Sequence, residues 1–126
     1  MSRVPAARPR HWIFDMDGTL TVPVHDFPAM RRELGVPEGM GTLEGVYALP
    51  EPLRSERHRR LDEISMDYAR LARPQQGARA LLEELLAGGC RIGLVTRNSR
   101  PSALETLACA GLAGLDRKST RLNSSH

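Results

Sequence analysis

The sequence predicts an α/β protein with a doubly wound parallel sheet. Residues 11–14 and 91–96 are short apolar runs typical of buried strands, and segments with helical periodicity lie between them and after them. The order strand, helical segment, helix, strand, helix produces parallel strands joined by helical crossovers. Asp15 and Thr96 stand at the carboxyl ends of these two strands, which is the edge where sheets of this kind form their sites.

Turn and helix signals follow the first strand in order. Gly18 ends the strand in a turn. A short helix is predicted from its N-cap Asp26 to Gly35, and a Gly/Pro-rich stretch occupies residues 36–52. A longer helix then ends at Pro74, and its apolar positions recur at helical spacing at Leu53, Leu61, Ile64, Tyr68 and Leu71.

Two more helices flank the second strand. Residues 77–87 are predicted as a helix that ends at Gly88, with an inward face of Ala78, Leu81, Leu82, Leu85 and Leu86. Ser99 is predicted to cap the last helix, which Gly111 ends, with Leu104, Leu107 and Ala108 facing inward. Because residues 21–74 carry no strand signal, they are predicted as a small helical insert in a core made of residues 1–20 and 75–115.

Composition excludes several classes of protein. With 40% hydrophobic residues the chain is globular rather than disordered, and no apolar run approaches the roughly 20 residues of a membrane span. Cys90 and Cys109 are too few for a disulfide framework or a metal site, and we interpret them as reduced thiols of a cytoplasmic protein. We therefore expect no membrane partner.

The last eleven residues, 116–126, differ from the rest. Their sequence, DRKSTRLNSSH, matches the conceptual translation of a common sequencing adapter, and Lys118 among them is the single lysine of the chain. Without them the basic and acidic residues number 15 and 14, a net charge of +1 in place of +3, so nothing favours nucleic acid as a partner. We predict that this segment is an artefact tail, that the gene was cut near Leu115, and that the fold should be reasoned without it.

Two motifs carry the chemistry. DMDGTL at residues 15–20 follows an apolar strand and resembles motif I, DxDGT, of the haloacid dehalogenase superfamily. GLVTRN at residues 93–98 resembles motif II of that family, an apolar strand that ends in Thr. The resemblance covers about residues 12–115 and is to phosphoglycolate-phosphatase-like members. It implies an incomplete Rossmann-like core, with the insert at residues 21–74 as a small helical cap that selects the substrate.

The resemblance implies phosphoryl transfer through an aspartyl-phosphate. Asp15 would attack phosphorus, and Asp17 would protonate the leaving oxygen and then deprotonate the water that cleaves the intermediate. Gly18 has no Cβ and so permits the turn that brings both carboxylates to one site. Dehalogenases of the family lack the second aspartate, so Asp17 favours a phosphatase. The alternative is that these residues only make a turn.

The resemblance also implies a magnesium ion and a phosphate cradle. Mg²⁺ would take the Asp15 carboxylate and the backbone carbonyl of Asp17 and would stabilise the charge in transfer. Phosphate would be held close to a helix N-terminus. The residues assigned to phosphate are Thr96 through its hydroxyl, Arg97 through its backbone N–H, and Met16 and Gly18. Thr96 taken alone is also an ordinary β-branched strand end.

Parts of the family pattern do not occur before Leu115. The cation of motif III and the acids of motif IV are missing, so we expect the chain as given to be inactive, with an exposed sheet edge prone to aggregate. The intact parent would be a phosphatase of a small phosphorylated metabolite. A phosphosugar mutase of the same fold is the alternative, or a non-catalytic binding module if the tail is genuine.

The basic cluster Arg54, Arg57, His58, Arg59 and Arg60 is interpreted as a solvated helix face, the alternative being a contact to an anionic substrate.

Overall fold

Three parallel strands form the centre of the molecule. A computed structural model of the chain describes residues 10–114 and 120–124. The strands are β1 (His11–Asp15), β2 (Arg91–Thr96) and β3 (Thr120–Ser124), and they lie in the order β1-β2-β3. Both predicted strands are confirmed. Since all three run parallel, their carboxyl ends meet at one edge of the sheet.

β3 lies in the segment that the sequence predicts to be an artefact tail. Leu94 of β2 lies opposite Leu122 of β3, and Leu122 packs against the core. The expectation that fold reasoning should leave this segment out therefore does not hold for residues 120–124. Without β3, the edge of β2 that faces away from β1 would carry unpaired N–H and C=O groups. An extended segment with one apolar side chain can pair with these groups. The origin of residues 116–126 stays a prediction, and Lys118 lies outside the described residues.

Five helices surround or extend the sheet. They are α1 (Phe27–Leu34), α2 (Thr42–Tyr47), α3 (Leu53–Ala69), α4 (Ala78–Ala87) and α5 (Arg100–Cys109). Side-chain caps start two of them as predicted. Asp26 accepts a hydrogen bond from the Ala29 N–H at 3.0 Å, and Ser99 accepts one from the Ser102 N–H at 3.4 Å. Gly35 ends α1 in the left-handed conformation, with φ of 69°.

The helix α2 was not predicted, because it lies in the Gly/Pro-rich stretch. Gly45 stands within it, and a Cβ built there would lie 2.0 Å from Cγ1 of Val36. The glycine thus lets the helix backbone lie directly against Val36, which is 7% exposed. Tertiary packing overrides the low helix propensity of glycine here.

The predicted inward faces are partly wrong. Leu71 lies beyond the end of α3 and is 61% exposed, and Leu81 and Leu104 are also exposed. On α5 Ala108 is exposed as well, and the buried face is instead Ser102, Ala103, Thr106 and Leu107. The Thr106 hydroxyl donates to the Ser102 carbonyl at 2.8 Å. A polar side chain can be buried once its hydrogen bond is made. Small polar side chains therefore occupy the buried face in place of Leu104, the leucine that was predicted there.

The insert has its own apolar core, separate from that of the sheet. The sheet core gathers Met16, Leu20, Leu82, Leu85, Ile92, Leu94 and their neighbours, whereas the insert core gathers Met30, Leu34, Val36, Val46, Leu61 and Ile64. Thr21 and Pro74, the predicted ends of the insert, form an antiparallel bridge, and the Val22 N–H donates to the Arg73 carbonyl at 2.9 Å. This pairing supports the division into core and insert.

The sheet is covered unevenly. Trp12 and Phe14 of β1 pack against the sheet core, while Ile13 between them points to the opposite face and is 78% exposed. The architecture is an open parallel α/β sheet of the doubly wound, Rossmann-like type, incomplete at the edge that β1 forms. No helix in the described part of the chain is long and apolar enough to cross a membrane.

Candidate active site

The two carboxylates of the site come from the end of β1 and the turn after it. Residues 16–20 make one wide turn, closed by the Thr21 N–H donating to the Met16 carbonyl at 3.2 Å. The turn is possible because Asp17 is extended, with φ and ψ of −76° and 123°, and Gly18 has φ of 81°. Met16 and Leu20 are buried and anchor the turn, which leaves Asp15 exposed and Asp17 partly buried.

Asp17 is held by two side chains from the end of β2. The Thr96 hydroxyl donates to Oδ2 of Asp17 at 2.6 Å, and Nδ2 of Asn98 donates to Oδ1 at 3.1 Å. The Asn98 N–H in turn donates to the Thr96 hydroxyl oxygen at 3.1 Å. Each oxygen of the Asp17 carboxylate therefore has one donor, and its orientation is set by the neighbouring strand.

Asp15 differs from Asp17 in its surroundings. Among the described residues no group donates a hydrogen bond to its carboxylate, although the residue borders the same cavity as Asp17. An exposed carboxylate without protein donors is open to a ligand. Asp17 is thus held by neighbouring side chains, whereas Asp15 is exposed at the cavity.

A cavity of about 710 Å³ connects the sheet edge to the insert. This volume lies in the range of small-molecule sites. The edge of the sheet contributes Asp15, Asp17, Arg97 and Asn98 to its lining. The insert contributes His25, Phe27, Met30, Arg31, Gly41, Thr42, Leu43, Glu44, Leu61 and Ser65. The end at the sheet is thus polar, and the end at the insert combines apolar side chains with polar ones.

His25 lines the cavity and lies against two aromatic side chains of the insert. Its ring stacks on Phe27 at a centroid distance of 5.3 Å and lies 4.7 Å from the ring of Tyr68. The Tyr68 hydroxyl accepts a hydrogen bond from the Asp26 N–H at 3.1 Å, which ties α3 to the start of α1. Burial lowers the pKa of His25, and the negative charge of Asp17 opposes this effect in part. The imidazole is therefore neutral at pH 7.

The structure brings most of the predicted site residues together. Asp15, Asp17 and Arg97 line the cavity, and Thr96 reaches Asp17 through its hydroxyl. The Met16 side chain is fully buried, so only its backbone is available to a ligand. The roles of these residues stay predictions.

Among the cavity residues that sequence reasoning did not assign to the site are His25, Arg31 and Asn98. Only Asn98 had a local signal, since it lies two positions after Thr96 in the second motif. His25 precedes α1 and Arg31 lies on it, so their contact with the site depends on how the insert packs against the sheet.

The basic cluster of α3 lies away from the cavity, whose lining includes none of its five residues. Arg54 pairs with Glu51, Arg57 with Glu56, His58 with Asp62 and Arg60 with Glu33. These contacts agree with the interpretation of a solvated, charge-paired face.

The donors at the sheet edge fit a magnesium ion in part. Mg²⁺ is usually bound by one or two carboxylates together with water and substrate phosphate, which the exposed Asp15 carboxylate and the carbonyl of Asp17 allow. Within residues 10–114 and 120–124, no group of three or more His, Cys, Asp or Glu side chains clusters as a metal site. The described residues therefore supply few protein ligands at this edge of the sheet.

Comparisons with known proteins bear on the fold. No family model matches the chain, and no curated protein matches it. The structure is similar to a haloacid dehalogenase-like family hydrolase from Streptococcus pneumoniae, with a TM-score of 0.59, 19% identity, and coverage of 94% of this chain and 62% of that one. It is also similar to a candidate β-phosphoglucomutase from Thermotoga maritima, with a TM-score of 0.52, 23% identity, and coverage of 90% and 60%.

The chain spans about 60% of the length of these two structures. Both similarities extend over at least nine tenths of this chain. The resemblance predicted from the motif at residues 15–20 is thus confirmed at the level of the fold. The protein has a haloacid dehalogenase-like fold.

Proposed function

We propose that the intact protein is a Mg²⁺-dependent phosphatase that hydrolyses a small phosphorylated metabolite in the cytoplasm. The observation that carries the proposal is the pair of unlike carboxylates at the end of β1. Asp15 is open to the cavity, whereas Asp17 is held by Thr96 and Asn98. A nucleophile must be accessible to the phosphorus atom, and an acid/base group must be held where the proton is transferred.

In the proposed reaction Asp15 attacks the phosphorus atom of the monoester. A bond forms between an Asp15 oxygen and phosphorus, and the bond from phosphorus to the leaving oxygen breaks. Asp17 gives its proton to that leaving oxygen. Asp17 then takes a proton from water, the water oxygen attacks phosphorus, and the Asp15 carboxylate is released with inorganic phosphate.

The other residues of the site would bind and orient the substrate. Thr96 and Asn98 hold the Asp17 carboxylate, and the Arg97 backbone N–H, which precedes α5, would hold a phosphate oxygen. Bound Mg²⁺ at Asp15 and the Asp17 carbonyl would offset the charge of the phosphate. The insert would exclude water and select the substrate.

A phosphosugar mutase is the second candidate, and the similarity to a candidate β-phosphoglucomutase favours it. A mutase returns the phosphoryl group from Asp15 to a second hydroxyl of the substrate, whereas a phosphatase passes it to water. A non-catalytic binding module is the third reading. It requires neither Asp15 nor Asp17.

The decisive experiment measures phosphate release with Mg²⁺ and an aryl phosphate. Two proteins are compared, the chain of residues 1–126 and the read-through protein, translated from the gene past residue 115 without the suspect segment. We expect turnover from the read-through protein and little from the chain. Asp15→Asn should abolish turnover, while Asp67→Asn, an exposed carboxylate of α3, should leave it unchanged.

Trapping of the intermediate separates the candidates. Acid quenching followed by mass spectrometry should find a phosphoryl group on Asp15. Turnover that survives Asp15→Asn would refute the mechanism, and a read-through protein that binds phosphate without releasing any from a monoester would favour the binding module. Phosphoryl return to a sugar hydroxyl that outpaces hydrolysis would indicate the mutase.

A further inference from the structure

The cavity has a second charged position, far along the chain from the reactive carboxylates. Arg31 stands on α1 of the insert and lines the same cavity as Asp15 and Asp17. Its side chain is partly buried, unlike that of Arg32 beside it, which is exposed. A partly buried cation in a cavity needs an anion to compensate its charge.

Arg31 has no such anion among the described residues. Within the described residues its guanidinium forms neither an ion pair nor a hydrogen bond, although five other arginines form ion pairs. Glu44 also lines the cavity, but it is exposed and its carboxylate lies near Gly41, at the start of its own helix. The charge of Arg31 is therefore left for a ligand.

The surroundings of Arg31 indicate what kind of group would bind. Phe27, Met30, Leu43 and Leu61 line the insert end of the cavity beside the polar Thr42, Glu44 and Ser65, and the apolar part of this lining strengthens an ionic contact. A guanidinium matches the two oxygens of a carboxylate or phosphate with parallel hydrogen bonds. An anionic group fits this position better than a sugar hydroxyl does.

We propose that Arg31 determines specificity by binding a second anionic group of the substrate, at the end opposite the phosphate that Asp15 attacks. The substrate is then a phosphorylated compound with a carboxylate or another phosphate at its far end. This inference rests on the proposed function, since it takes the phosphate end of the cavity from it.

The two other basic residues of the cavity do not fill this role. Arg97 follows Thr96 directly and stands beside the reactive carboxylates, so it belongs to the phosphate end. His25 is neutral at pH 7 because its ring is partly buried between Phe27 and Tyr68. Arg31 is thus the cation that the insert contributes to the cavity lining.

The test measures binding of inert phosphonates to the chain of residues 1–126 by calorimetry, with Mg²⁺ present. Four series of increasing length are compared, ending in a methyl, a hydroxyl, a carboxylate or a second phosphonate. At the best-fitting length we expect an anionic end to tighten binding roughly ten- to a hundredfold over the methyl end, as a charged hydrogen bond would. Whichever anionic series gains more identifies the group.

Variants assign the gain to Arg31. Arg31→Gln should remove the preference for an anionic end without weakening the methyl series, and Arg31→Lys should keep part of it. Arg32→Gln is the matched control on the same helix and should bind like the wild type. Arg97→Gln should leave the preference intact. Thermal unfolding of each variant checks that Arg31→Gln folds, which we expect because its guanidinium has no partner in the described residues.

The outcomes separate the inference from the proposed function. If methyl phosphonates bind and no anionic end improves binding, or if the improvement survives Arg31→Gln, the role of Arg31 is refuted while the phosphatase proposal stands. A preference for the hydroxyl end would also refute it. If no phosphonate of any series binds, the cavity of this chain does not take phosphate and the role of Arg31 is refuted; the proposed function is then decided by turnover of the read-through protein.

Discussion

The position of the Asp17 side chain depends on residues that are distant along the chain. It lies one turn beyond β1, yet both of its carboxylate oxygens accept hydrogen bonds from the segment after β2, 79 and 81 positions away along the chain. A carboxylate that must give and take a proton at a fixed place benefits from such support, because a small displacement of the reacting group lowers the rate strongly. Thr96 and Asn98 thus act through Asp17.

Removal of the amide donor should slow the reaction more than it lowers stability. In the read-through protein we expect Asn98→Ala to reduce kcat/KM for an aryl phosphate roughly ten- to a hundredfold, since a hydrogen bond to a charged group contributes about 1.5–3 kcal/mol. Ser99→Ala is the control, because it removes the cap of α5 and should cost about 1 kcal/mol of stability without touching Asp17. Equal kinetic effects of both variants would contradict a specific role for Asn98.

His25 should make stability depend on pH. Burial lowers its pKa in the folded state below the ordinary value of 6.5, so the unfolded state binds its proton first as the pH falls. The contribution to stability is complete above pH 6.5 and is lost progressively as the pH falls below that value toward the pKa of the folded state. We expect urea unfolding to show this loss and His25→Asn to reduce it. A pH dependence that His25→Asn leaves unchanged would argue against the role of His25.

At the scale of elements, the insert is held together by close packing as well as by propensity. The helix α2 contacts α1 and α3, and its buried residues are Gly45 and Val46. Val46 is fully buried in the insert core. The missing side chain at Gly45 is what permits the contact with Val36, so a methyl group there has no space to occupy.

A methyl group at Gly45 should therefore destabilise the insert although alanine is the better helix former. We expect Gly45→Ala to lower the free energy of unfolding by about 1–3 kcal/mol, the usual effect of overpacking. Gly41→Ala is the control, because the nearest atom to a Cβ there is 3.6 Å away. In a double-mutant cycle, Val36→Ala should relieve the cost of Gly45→Ala. Additive effects of the two substitutions would show that the contact is not the cause.

At the scale of the molecule, one edge and part of one face of the sheet are open. β1 is an edge strand of the described sheet, and its Ile13 is exposed between two side chains that pack inward. An edge with free backbone groups and an exposed apolar side chain is a surface on which other chains can pair. The two similar structures extend well beyond the length that this chain covers.

The open edge should make the chain of residues 1–126 associate with itself. Sedimentation velocity should detect association that grows with concentration, and Ile13→Ser should reduce it. Leu104→Ser is the control, because Leu104 is exposed on α5, away from β1, and should have little effect. A wild-type chain that stays monomeric at high concentration would rule out this consequence of the open edge.

Much of the fold followed from local signals. The strands at residues 11–15 and 91–96, the caps Asp26 and Ser99, and the turn at Gly18 could be predicted because each depends on neighbours a few positions away. The position of the two carboxylates of residues 15–20 at the end of β1 could be predicted for the same reason, since a strand end and its turn are specified locally.

Tertiary structure decided what distant residues do to one another. Packing on Val36 made a helix of a Gly-containing stretch, and pairing with β2 made a strand of residues 120–124. Asn98 can support Asp17 only because the carboxyl ends of β1 and β2 lie side by side. Arg31 lines the cavity only because the insert packs against that edge of the sheet. A sequence pattern repeats at the period of one strand or helix, so it carries no information on which elements come to face each other.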